Sequence, residues 1–67
     1  MLKPYQERVI DEKQELDDRI EKLRTFFNTD TFQALQDRDK YLLVQQSGAM
    51  ATLSRILGDR IARFIEE

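Results

Sequence analysis

The chain has no cysteine, no histidine and no tryptophan, one proline and two glycines. Without cysteine no disulfide can brace it, and without cysteine or histidine the ligands of an ordinary zinc site are missing. The same gaps remove the most reactive nucleophile and the commonest general base, and two isolated glycines build no phosphate-cradling loop. Catalytic residues, metal ligands and cofactors are therefore not expected. Charge of one sign is also lacking: 11 basic against 13 acidic side chains give a net charge of −2. No basic field invites DNA or RNA. No apolar run approaches the ~20 residues needed to cross a bilayer, and "MLKPYQERV" has no signal-peptide core, so a cytosolic protein is expected.

What is present is charge and helical periodicity. Charged residues make up 36% of 67 positions. A chain of this size forms one domain and buries only about 60% of the surface its unfolded form exposes. Small domains compensate with disulfides, metals or association, and only association is left here.

Leu2, Val9, Leu16, Ile20, Leu23 and Phe27 recur at spacings of three, four and seven, the seam of a coiled-coil-like helix. Helix one is expected over about 4–27, with Pro4 in the first turn where its missing N–H costs nothing. "NTDT", residues 28–31, interrupts the pattern, so a turn is expected at 28–30. Asp30 and Gln33 have capping-box spacing, with Thr29 and Thr31 as competing caps, for a helix two over about 31–66. Its apolar face is Phe32, Leu35, Leu43, Met50, Leu53, Leu57 and Phe64.

These elements predict an all-α protein: an antiparallel two-helix hairpin whose second helix is longer. A turn this short makes residues whose numbers sum to about 59 face each other. Phe27 then meets Phe32, Leu23 meets Leu35, Leu16 meets Leu43, Val9 meets Met50 and Leu2 meets Leu57. Helix two overhangs, leaving Ile61, Phe64 and Ile65 without an intrachain partner. Such a sticky end predicts assembly into a helical-bundle homo-oligomer, unless Gly58 lets the end fold back.

Several polar residues depart from this pattern. Lys13 lies in the seam and, in that register, faces Gln46. Either Lys13 extends its amine to water while Gln46 sets register, or the two belong to a polar pocket for an anion. "SGAMA", residues 47–51, leaves a shallow place for another backbone or for a ligand. Arg55, Arg60 and Arg63 form a locally basic patch, a solvated face or a phosphate grip. Tyr5, near Lys3 and Arg8, is a rim aromatic or a stacking ring. The carboxylates from Asp11 to Glu21 alternate with Arg19, Lys22 and Arg24 at helical spacing and read as a solvated face rather than a metal site.

"PYQERVIDEKQELDDRIEKL", a short turn, "LLVQQSGAM" and "SRILGDRIARF" together resemble small helical-hairpin proteins of tailed bacteriophages. More specifically, Gln46, Ser47, Gly48, Ala49 and Met50 are similar to a run in the second helix of anti-CBASS and anti-Thoeris sponge proteins. The resemblance implies a homo-oligomer, often a hexamer, that binds a cyclic oligonucleotide or cyclic ADP-ribose type signal in the host cytoplasm. It implies no chemistry: sequestering the signal silences bacterial anti-phage defence. Carried onto this chain, it implies Tyr5 for stacking, Lys13 and Arg55 for phosphate, and Gln46 with Ser47 for base edges or ribose. The rival expectation is a structural or regulatory protein–protein interaction module with no nucleotide ligand.

Overall fold

A computed structural model describes the backbone of residues 1–66 and the side chains through Phe64. Three helices follow in order: α1 (Pro4–Phe26), α2 (Asp30–Gln33) and α3 (Asp37–Glu66). No strand occurs among the described residues, so the fold is all-α. The molecule measures 48 × 14 × 14 Å. At ~1.5 Å per residue, the 30 residues of α3 account for nearly all of that length.

Helix α1 begins where expected, with Pro4 in its first turn. Gln6 turns back on this end, its Oε1 accepting the Lys3 N–H at 2.8 Å. The connection after α1 differs from the three-residue turn expected at 28–30. Ten residues, 27–36, separate the two long helices, and α2 is a single turn within them. Thr29 organises it: Oγ1 donates to the Phe26 carbonyl at 2.6 Å and accepts from the Phe32 N–H at 3.2 Å. Phe32 is buried, 5.9 Å from the Phe26 ring and 5.0 Å from that of Phe27. Three aromatic rings therefore plug the end of α1. The chain leaves helical geometry at 34–36 and restarts at Asp37, with Asp37 and Asp39 complementing the positive end of the α3 macrodipole.

The longer connection resets the register. Tyr5 packs edge-on against Phe64, Ser54 bonds to Asp17, and the Lys13 stem crosses Gly58. α1 and α3 thus run in opposite directions, with facing residue numbers summing to about 70 instead of about 59. Phe27 against Phe32 is observed as expected, whereas the expected pairs between α1 and α3, Leu16 with Leu43 and Val9 with Met50, give way to the new register.

The core contains Val9, Leu16, Ile20 and Leu57, flanked by Met50, Ile61 and Phe64. Ile61 and Phe64 are therefore packed inside the chain, which corrects the expected overhang at the C-terminal end; the side chain of Ile65 lies outside the described residues. It is the first turns of α3 that extend past α1, with Tyr41, Leu42 and Val44 exposed. Gly58 makes no bend. α3 runs through it and through Gly48, and neither glycine has a positive φ.

Candidate functional site

The seam of α3 that meets α1 is unusual in its small residues. Ser47, Ala51, Ser54 and Gly58 follow a four–three–four spacing and lie on one edge of the helix. Small side chains there leave a trough between the helices. It is a groove of about 530 Å³, open to solvent, between Asp17, Ile20, Glu21 and Arg24 of α1 and Ala51, Ser54 and Arg55 of α3. Ile20 and Ala51 supply apolar surface and the other five side chains supply hydrogen-bonding groups. Two guanidinium groups, one from each helix, border it. Guanidinium forks suit phosphate and carboxylate geometry.

Asp17 ties one end of the groove together. Its Oδ2 accepts from Lys13 Nζ at 2.7 Å and its Oδ1 from Ser54 Oγ at 2.5 Å. The Lys13 hydrogen bond, followed by that from Ser54, lowers the Asp17 pKa; desolvation opposes them more weakly. The aspartate therefore stays ionised. The Lys13 stem continues over Gly58, where a Cβ would come within 3.2 Å of Cε. Glycine at this point lets the lysine lie flat on α3 while its amine reaches the carboxylate.

The five candidates from sequence occupy different places. Lys13 is near the groove but already bonded to Asp17, and its register partner is Gly58, which corrects the expected pairing with Gln46. Arg55 borders the groove, and its Nη1 donates to Asp59 Oδ2 at 3.2 Å, an ion pair largely in water. Ser47 is half-buried on the same seam, one turn from Ala51. Gln46 is exposed, its amide 3.8 Å from the Met50 sulfur. Tyr5 sits at the far end, edge-on to Phe64. Phe64 and Gln46 are 18 positions apart on α3, roughly 27 Å along its axis. Of the five, Arg55 lines the groove, Lys13 reaches its edge through Asp17, Ser47 lies a turn beyond Ala51 on the same seam, and Tyr5 and Gln46 lie elsewhere.

Sequence reasoning missed Asp17, Glu21, Arg24 and Ser54 as groove residues, because the expected register set them against other partners. The four–three–four run of small residues on α3 was the available signal. A second omission is Tyr41, 54% exposed on the free end of α3. The Arg38 guanidinium lies 6.0 Å from its ring centroid and Gln45 donates to its hydroxyl at 2.9 Å. An exposed ring flanked by a cation is a surface on which a base can stack.

Among the described residues no group of three His, Cys, Asp or Glu is placed to hold a metal ion, and no helix is long and apolar enough to cross a membrane. No curated protein and no solved structure matches the chain. A family model does: it spans residues 3–63, nearly the whole of α1, the connection and α3, and on this match the chain belongs to the Sequestin family, whose name points to sequestration and so to binding rather than catalysis.

Proposed function

We propose that this protein is a phage-encoded sponge that sequesters a cyclic nucleotide immune signal in the host cytoplasm, as a homo-oligomer and without transforming its ligand. The observation that carries the reading is the Sequestin match over residues 3–63. The groove supports it physically: Arg24 and Arg55 face one cavity from opposite helices, with Ser54 between them and Ile20 beneath. A ligand with negative phosphates and flat, partly apolar bases meets complementary chemistry there. Glu21 and Asp17 share the lining, so an anion is drawn to the guanidinium side and a base N–H to the carboxylates. A cyclic oligonucleotide or a cyclic ADP-ribose isomer has both kinds of group.

The rival reading, an interaction module with no nucleotide ligand, is favoured by one observation: Leu42, Leu53 and Ile56 of α3 are each more than 40% exposed. The two readings separate on ligand dependence. A thermal-shift series with cyclic dinucleotides, cyclic trinucleotides and cyclic ADP-ribose isomers is the test. At a thousandfold excess over the dissociation constant, a ligand of the folded state adds about 4 kcal/mol. A shift of several degrees with one class is expected. A flat response to every class leaves the interaction module in place.

A further inference from the structure

Helix α3 carries two apolar seams. One, through Met50, Ser54, Leu57, Ile61 and Phe64, faces α1. The other begins one residue earlier in each turn, through Leu42, Gln46, Ala49, Leu53 and Ile56, with the same alternation of four and three. A one-residue offset rotates it by about 100° around the helix. Among the described residues nothing covers it: Leu42, Leu53 and Ile56 are 45%, 43% and 42% exposed. Ala49 at its middle permits close approach of another backbone. Continued outward, the same spacing reaches Asp39 at one end and Arg60 and Arg63 at the other.

We infer that this second seam docks a second copy of the chain, α3 against α3 in antiparallel orientation about a two-fold axis midway between Ala49 and Leu53. The inference rests on the self-association in the proposed reading and is independent of any ligand. Charge chooses the occupant and its direction. In antiparallel order Asp39 lies beside the partner's Arg63, and the same pair recurs at the other end by symmetry, as an isologous contact requires. Leu53 then meets the partner's Ala49, and Ile56 meets the partner's Gln46. Parallel order would set Asp39 on Asp39 and Arg63 on Arg63, and would align the two macrodipoles. A sequence acidic at one end of a stripe and basic at the other is complementary to itself reversed. The buried core gives the need: among the described residues only Val9, Leu16, Ile20, Phe32 and Leu57 are buried hydrophobics, a small core for the chain.

The arrangement has two consequences. The groove opens from the other edge of α3, so each copy keeps its groove free. Gln46 becomes a polar residue inside an interface, a register device rather than a ligand contact.

Sedimentation or light scattering on the full chain without ligand tests the surface. Wild type is expected to be at least dimeric at micromolar concentration. Leu53→Glu and Ile56→Glu, both at exposed positions, are expected to reduce it to a monomer while circular dichroism stays helical. Asp39→Arg or Arg63→Asp alone is expected to weaken association about tenfold, through two like-charge contacts per dimer, and the double exchange to restore it. A monomeric wild type at ~100 µM overturns the inference, as does an oligomer indifferent to both glutamates, or a charge exchange without rescue. Failure of the sponge reading looks different: an intact dimer, dissociated by either glutamate, whose melting temperature no cyclic nucleotide moves.

Discussion

Ser54 and Asp17, 37 positions apart in the chain, are joined by a hydroxyl-to-carboxylate hydrogen bond that fixes α3 against α1. The same carboxylate holds Lys13 one turn earlier on its own helix. One side chain thus sets both the register of the two long helices and the end of the groove between them.

Acid should loosen this joint. The Asp17 pKa is lowered in the folded chain by its bonds to Lys13 and Ser54. Ionised Asp17 therefore contributes stability that is complete above the unfolded aspartate pKa of about 3.9 and is lost as pH falls through the lowered folded value. Wild type is expected to exceed Asp17→Asn in urea midpoint at pH 7. The difference should narrow below about pH 4, and a constant gap from pH 7 to pH 2 would show that the carboxylate's charge is immaterial.

The two glycines of α3 should respond differently to alanine. At Gly48 nothing lies within 4 Å of the added methyl, so the gain in helix propensity, about 1 kcal/mol, should appear in full. At Gly58 the methyl meets the Lys13 stem at 3.2 Å and must displace it. Gly58→Ala is expected to stabilise less than Gly48→Ala, or to destabilise. Combining it with Lys13→Ala should recover the propensity gain, as read by thermal melts of the four proteins.

The connection should be costly to disturb. Phe32→Ala removes the buried ring against which Phe26 and Phe27 pack, and a loss of about 3 kcal/mol is expected. Thr29→Ala removes the cap of α2 and its bond to the end of α1, with about 1 kcal/mol expected. If both changes prove neutral in denaturant titrations, the ten-residue connection does not hold the register.

Ligand binding should discriminate the cations. Arg24 and Arg55 border the groove with exposed side chains, so alanine at either should weaken binding at least tenfold and leave the melting temperature of the free protein nearly unchanged. Lys13 is engaged with Asp17, and Lys13→Met should affect binding less than Arg24→Ala. Calorimetry with the nucleotide identified by thermal shift measures both, and equal losses would put Lys13 on the ligand.

Helix type was legible because it depends on local periodicity. The spacing of Val9, Leu16, Ile20 and Leu23 and the position of Pro4 specify α1. Thr29 was legible as a competing cap, since capping needs only a hydroxyl before a helical turn. The groove was not. Its lining joins Asp17 to Ser54 and brings Glu21 and Arg24 of α1 to the same groove as Ala51 and Arg55 of α3, and such neighbours follow the register. Lys13 and Arg55 were recognisable as cations out of place, while their neighbours were misread along with the register.

By itself the sequence determined an all-α chain with seams of three–four spacing, too small and too poor in cysteine and histidine to be braced by disulfide or zinc. Only the tertiary structure decided which residues of those seams meet. The register is set by a ten-residue connection that Thr29 caps and Phe32 closes against Phe26 and Phe27, where local pattern alone had suggested a three-residue turn. That choice slides α3 by about three helical turns, draws Ile61 and Phe64 into the core, and sets Arg24 and Arg55 on one groove.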